Sequence, residues 1–496
     1  MLIGSAFGAF YLTKSHAPRA PMGTARAVAS APIAPYESPV VQAGSRWNDA
    51  DRRRFAARMR ALANSSVFPP ESAVEFLDPR SGRPLYAHNA DLPLAPASTM
   101  KLLVAATALR ELGGNFRFRT SIVAPAAPQD GTIAGDVYLI GSGDPELSTH
   151  DLRESAQALV TAGVRTIAGN VEADASAFEA DAVNRSWSAD DLLYGWAAPA
   201  SAVSVDNGAI QFTITPAASG EDAAIDVQPP GSVDRLLGSI ATVPAGNDTD
   251  LRIDPGPRAG DYIISGQIPE GAPQIFWRSM AHPSAKAPVI LRTILMQAGI
   301  LVQGGAGDGK APSDPMVLWS HASRPLSAIV QHMWFESDNH YAEQLLRASG
   351  AATTGLGSAS SGLAAERGLL ARVGAAHPRI ALVDGSGLSP DNRITARALA
   401  AVLRELVAGP EAARTIASLP RVGLDGTVQQ RSLAPDVLGR VYGKSGYIEG
   451  VTGLAGYIKT RHHGLLIYAF LVNDWTTSLD AVWAAQSQML DAAARW

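Results

Sequence analysis

The chain has 496 residues, 46% of them hydrophobic, and a formal net charge of −5, which allows about three packed domains and excludes a mostly disordered chain. Charges of both signs are spread along it, and no basic block marks a nucleic-acid partner. With no cysteine, disulfides and thiolate catalysis are excluded.

An apolar run from Leu2 to Leu12 opens the chain. It is too short to cross a bilayer as a helix, which takes about 20 apolar residues. Lys14, His16 and Arg19 follow it, and Ala27-Val28-Ala29-Ser30 resembles a cleavage site. Residues 1–45 are therefore expected to be an export signal or tail and a linker, since 13–45 is rich in Ala, Pro and Ser without a period. Trp47 to Asn64 predicts a basic amphipathic helix with Phe55, Met59 and Leu62 on one stripe. Ser72 to Asp78 predicts a strand, Pro79-Arg-Ser-Gly82 a turn and Pro84 to Ala87 the returning strand. A loop from Asn89 to Ala97 leads to a buried helix expected to begin at Ser98, with Met100, Leu103, Val104, Thr107 and Ala108 at helical spacing.

From about Arg117 to Ala311 the texture changes to short runs rich in Gly, Pro, Asp, Val, Ile and Thr. Gly135 to Gly141, Ile210 to Thr215 and Tyr262 to Ser265 predict strands of one or two mostly β modules. Helices are expected again over Leu326–Phe335, Asn339–Ser349, Gly362–Val373 and Thr395–Val407. The end reads as strands over Val441–Lys444, Thr452–Lys459 and Leu465–Val472, then a helix over Leu479–Trp496. There is no internal repeat.

Three short motifs punctuate this order: Ser98-Thr99-Met100-Lys101, Ser337-Asp338-Asn339 and Lys444-Ser445-Gly446. As a set they match the S-x-x-K, S-D-N and K-T-G series of penicillin-binding proteins and class A β-lactamases. Three residues apart on a helix, Ser98 and Lys101 share a face. A lysine takes a serine's proton only when neutral, so its pKa has to fall from about 10.4. Burial and a second cation, Lys444, would both lower it. Ser337 is a hydroxyl placed to pass a proton, and Asn339 an amide placed to hold a carbonyl. Lys444 with Ser445 suits a terminal carboxylate, and Gly446 lets an extended substrate approach the backbone. Alone, Ser98 reads equally as a helix cap, Ser337 and Asn339 as another, and Lys444 as a solvated lysine before a turn. Their order and settings together point to acyl transfer without a metal or cofactor. The ten histidines contain no H-E-x-x-H, His462-His463 reads as part of an exposed turn, and Gly141-Ser-Gly143 lacks the rest of a phosphate loop.

Longer stretches narrow the family. Ala95 to Lys101, Gly135-Asp-Val-Tyr-Leu-Ile-Gly-Ser-Gly-Asp-Pro145, Glu336 to Leu346, Asp384-Gly-Ser-Gly-Leu-Ser389 and Gly423-Leu-Asp-Gly-Thr427 resemble the low-molecular-mass class C penicillin-binding proteins. These are serine D-alanyl-D-alanine carboxypeptidase/endopeptidases of peptidoglycan, and the resemblance runs from about residue 65 to the C-terminus. It implies an α/β (α+β) fold: a transpeptidase-like, β-lactamase-like catalytic domain with an antiparallel sheet flanked by helices. On this resemblance the catalytic domain takes 46–115 and 313–496, split by inserted mostly-β domains over 116–312. It further implies that Ser98 is acylated with Lys101 as base, and that Ser337 and Asn339 form the second motif and Lys444 the third. The N–H groups of Ser98 and Tyr447 would form the oxyanion hole, and Asp174 would contact the amine end of the substrate side chain. Peptidoglycan stem peptides and inhibitory β-lactams are the implied partners, in the periplasm or another extracytoplasmic space. Ser445 replaces the commoner threonine, and Pro390 stands where relatives can carry an arginine. Two other readings of the short motifs are a β-lactamase, against which there is no E-x-x-L-N deacylation motif, and a non-catalytic wall-binding protein.

Overall fold

In the computed structural model the described residues are 38–496, apart from 65–66 and 181–182. The expected export signal and most of the linker lie outside the described residues. Among those described, no helix is long and apolar enough to cross a membrane.

Five antiparallel strands form the central sheet in the order Val441–Ile448, Val451–Lys459, Leu465–Asn473, Ser72–Asp78, Arg83–His88. Of the three interior strands, Leu465–Asn473 and Ser72–Asp78 are buried at every position, so both faces of the sheet are covered. Alternation assigns the faces. Ile467, Ala469 and Leu471 pack into a cluster with Leu102, Leu103, Leu399 and Leu403. Leu466, Tyr468 and Phe470 pack with Phe55, Met59, Met489 and Leu490 on the other side. Each fully buried Leu, Ile, Phe or Met among them contributes about 1.5–3 kcal/mol of burial free energy.

The helix Asp49–Ala63 is capped by Asn48, whose side chain accepts the Asp51 N–H, so it covers nearly the span expected from its stripe. Lys101–Glu111 is different in kind. Its first eight residues are all buried, because Leu326–Glu336, Asn339–Thr354 and Ala396–Leu406 surround it. Its α-helical part begins at Lys101, not Ser98: Ala97–Met100 is a 3-10 turn, entered through Ala97 at φ 47. The expectation of an exposed His462-His463 pair is half corrected. His462 is exposed, but His463 is buried, stacked on Trp47 at a centroid distance of 4.0 Å.

Between Arg119 and Ala322 the chain builds separate small sheets. One is a five-stranded mixed sheet ordered Ala306–Asp308, Val171–Asp174, Val137–Gly141, Arg119–Ala124, Met316–Ala322. Its last strand lies beyond the expected boundary at 312, yet pairs with Arg119–Ala124. A three-stranded antiparallel sheet joins Gln274–Ser279, Ala209–Thr215 and Ala224–Gln228. Two helices, Thr149–Thr161 and Pro283–Gln297, also lie here and were not expected from the texture. The second contains Pro283 at its start and Pro288 inside, which disguise a helical period as a loop signal.

Candidate active site

The 3-10 turn brings Ser98 and Lys101 together, since side chains three apart eclipse in that geometry. Lys101 Nζ lies 2.9 Å from Ser98 Oγ, 2.6 Å from Asn339 Oδ1 and 2.7 Å from the Ser386 carbonyl. Two glycines allow this turn to sit where it does. A Cβ on Gly446 would come within 2.6 Å of the Pro96 carbonyl, and one on Gly387, at φ 80, within 1.9 Å of the Ala97 carbonyl. The Ser98 backbone is thus wedged between the edge strand of the sheet and the 384–389 loop.

Ser337 ends the helix Leu326–Glu336 in the left-handed region at φ 61, and Asp338 caps the next helix by accepting the Tyr341 N–H. A non-glycine residue held there carries strain of order 1 kcal/mol, which the packed helices on either side sustain. The bend aims Ser337 Oγ at Lys444, whose Nζ donates to it at 2.8 Å and to the Ser445 carbonyl at 2.8 Å. Lys444 does not end its strand: Val441–Ile448 runs four residues further, so the third motif lies mid-strand on the sheet edge. Gly443 N–H points off this edge to the Pro420 carbonyl. By the two-residue alternation the N–H groups of Ser445 and Tyr447 point the same way. Ser445 Oγ lies 2.8 Å from Thr427 Oγ1.

Both lysines are fully buried. Burial pushes Lys101 down to about 8 against the opposing pull of Asp384, Asp338 and Glu343. Lys444 is held well below the usual lysine range by burial first and by the charge of Lys101 second. Burial, as expected, is the first cause of the low Lys101 value, and two cations this deep in the site disfavour each other's charge.

Residues without an assigned role in the sequence complete the frame. Glu343 Oε1 accepts the N–H groups of Gly385 and Ser386, each at 2.9 Å, and so fixes the carbonyl that meets Lys101. Asp384 accepts from Gly387 N, Ser389 N and Asn392 Nδ2 at 2.7 Å and from Trp187 Nε1 at 2.8 Å. Asn339 Nδ2 donates to the Trp196 carbonyl at 3.1 Å. The segment around Trp187 to Trp196, part of the insertion, is thereby hydrogen-bonded directly to the catalytic side of the molecule. Asp174 is not gathered with the others. Burial tends to raise its pKa, but hydrogen bonds from Ser176 and Ala311 and the charge of Lys310 outweigh this and hold it low. Its carboxylate accepts the N–H of Ser176 in its own turn at 3.1 Å and that of the distant Ala311 at 3.0 Å. Among the described residues no group of His, Asp and Glu is arranged to hold a metal ion.

Glu343→Ala should leave two buried amides unpaired at about 1–3 kcal/mol each. A fall of roughly 2–6 kcal/mol in unfolding free energy, read by denaturant titration, is expected. Glu343→Gln keeps the acceptor oxygen and should lose less than half of that; equal losses would refute the role assigned to the two hydrogen bonds.

The chain is similar to known proteins in sequence and in fold. The family model described as D-Ala-D-Ala carboxypeptidase 3 (S13) matches residues 61–496. The chain is 33% identical over 402 residues to a D-alanyl-D-alanine carboxypeptidase of Actinomadura sp. (strain R39), covering 78% of this chain and 75% of that one. It is 24% identical over 396 residues to the D-alanyl-D-alanine carboxypeptidase DacB of Haemophilus influenzae, covering 79% and 82%. In fold it is similar to the crystal structure of penicillin binding protein 4 (dacB) from Haemophilus influenzae, with a TM-score of 0.77 at 23% identity over 88% of this chain and 99% of that one.

Proposed function

The chain belongs to the D-Ala-D-Ala carboxypeptidase 3 (S13) family, and from that premise we propose that Ser98 is its nucleophile and Lys101 the base. The protein is a serine-type D-Ala-D-Ala carboxypeptidase, a hydrolase acting through an acyl-enzyme and open to covalent inhibition by β-lactams. The observation that carries the assignment of roles is the set of contacts around Lys101 Nζ. Asn339 Oδ1 and the Ser386 carbonyl accept hydrogen bonds and donate none. A neutral amine donates its two protons to them, which turns its lone pair towards Ser98 Oγ.

The steps follow from the geometry. Ser98 Oγ attacks the carbonyl of the penultimate D-Ala as its proton passes to Lys101. The outward N–H of Tyr447, with that of Ser98, receives the developing oxyanion. Asn339 has a second amide hydrogen beyond the one given to Trp196, and this holds the backbone carbonyl of the residue preceding the penultimate D-Ala. Ser337, bonded to Lys444, relays a proton to the leaving amine. Water then attacks the acyl-enzyme by the same route in reverse. Lys444 and Ser445 receive the terminal carboxylate, whose negative charge restores to Lys444 the proton affinity that burial removes.

D-Ala-D-Ala ends of stem peptides, and D-Ala-diaminopimelate cross-links joined by the same kind of bond, are the proposed substrates. Because that polymer lies outside the cytoplasmic membrane, the proposed location is periplasmic or otherwise extracytoplasmic, reached through the N-terminal signal. Incubation with purified muropeptides followed by mass spectrometry tests the reading. Loss of one D-Ala or separation of dimers is expected, and unchanged muropeptides alongside rapid nitrocefin turnover would favour a β-lactamase instead.

Lys444→Ala should cost the carboxylate-bearing substrate a charge-assisted hydrogen bond of about 1.5–3 kcal/mol, or roughly 10- to 150-fold in kcat/KM. A substrate esterified at that carboxylate should lose much less. Equal losses on both would show that Lys444 does not bind the carboxylate.

A further inference from the structure

We propose that the groove leading from Ser337 and Asn339 across the inserted segment is a saccharide subsite, holding the N-acetylated glycan strand of peptidoglycan while its stem peptide is cleaved. The proposal rests on the substrate reading above and extends it from the stem peptide to the sugar. The groove has a volume of about 830 Å³, within the ordinary range for ligand sites of roughly 300–1,000 Å³.

Its wall is unusual for this molecule. Trp196, Trp277 and Ile275 are about half exposed and Tyr194 more than a third, and all four line this one groove. Elsewhere in the insertion the large aromatics Phe212 and Trp187 are buried. Exposed aromatic surface gathered in one concavity marks a binding site.

The wall is also rigid. Tyr194 and Trp196 stack at 4.3 Å with their planes 8° apart. The Arg278 guanidinium lies 5.2 Å over the Tyr194 ring, and Trp196 Nε1 donates to Asp191 at 3.1 Å. Trp277 stands beside this stack, since a Cβ on Gly195 would lie 3.4 Å from the Trp277 Cβ. The Trp196 carbonyl receives the Asn339 amide, which ties the wall to the catalytic loop.

Flat, preorganised rings suit the C–H face of a pyranose, which stacks without ordering cost in the protein. The side-chain amides of Gln211, Gln228 and Asn207 line the same groove and complement hydroxyl and acetamido groups around the ring edge. Reach agrees as well. An extended stem of four residues spans roughly 14 Å, so the sugar that carries it must dock close to Ser98. The groove begins at Asn339, whose Oδ1 is 2.6 Å from Lys101 Nζ.

The test uses a peptide-free GlcNAc-MurNAc tetrasaccharide, titrated calorimetrically into the full protein after acylation by penicillin. Saturable binding is expected, weakened roughly tenfold in Trp277→Ala, the effect of one lost aromatic contact. Trp277→Leu, which keeps apolar bulk but not the flat ring, should weaken binding similarly. In wild type, kcat/KM should favour a disaccharide-pentapeptide over the sugar-free pentapeptide, and Trp277→Ala should shrink that ratio. Absence of saturable binding, unaltered binding in both variants, or displacement of the tetrasaccharide by sugar-free stem peptide would overturn the subsite. Failure of penicillin to acylate the protein would count against the Ser98 assignment instead, and the titration would then be scored on the unacylated chain.

Discussion

Ser98→Ala is expected to abolish covalent labelling by fluorescent penicillin, while the thermal unfolding midpoint stays close to wild type. Only a hydroxyl is lost, and the turn that carries it is fixed by its backbone, wedged against Gly446 and Gly387, not by the serine side chain, whose hydroxyl meets Lys101 Nζ. Without the oxygen there is no atom to form the ester, so the acyl-enzyme is lost completely and not merely slowed. A labelled band at wild-type intensity would move the nucleophile elsewhere.

Lys101→Ala should slow acylation by about 10²–10⁴-fold, the ordinary contribution of a positioned base. The buried lysine, pushed down to about 8, also sets the pH dependence. Its reactive form is the neutral one, so the acylation rate should rise with pH and level off above about 8. At pH 7 roughly a tenth of the lysine would be neutral, an order of magnitude below the plateau. Stopped-flow acylation with nitrocefin from pH 6 to 10 measures this. A rate independent of pH across that window would contradict a neutral-lysine base.

Much of the site was legible because its chemistry is local in sequence. Ser98 and Lys101 are three apart, Ser337 and Asn339 two apart, and the folded chain brings both pairs and Lys444 to one place. The residues that frame them were not legible. Glu343 is one carboxylate on a helix, and nothing in its neighbours says that it will face two amides of a loop some forty residues on. Asp384 and Trp187 meet only because the insertion folds back over the site. Asp174, implied by resemblance, accepts the N–H groups of Ser176 and Ala311, partners its own neighbours in sequence did not announce. The central sheet was readable from short apolar runs bounded by turn residues, whereas the helix Pro283–Gln297 was hidden by its own prolines, and His463 by a polar turn that Trp47 happens to cover.

The strand order of the central sheet constrains when the protein can fold. Ser72–Asp78 pairs with Leu465–Asn473, with Val74 opposite Phe470, and Asp49–Ala63 packs against Leu479–Ala494. Ser72–Asp78 can pair at once with Arg83–His88, but its neighbour on the other side is made only when nearly the last codon has been read. Loop-closure entropy for so distant a pairing is met late, and such topologies fold slowly. The inserted sheets between Arg119 and Ala322 draw only on their own stretch of chain, whereas the central sheet closes only when the final hairpin of Val451–Lys459 and Leu465–Asn473 arrives.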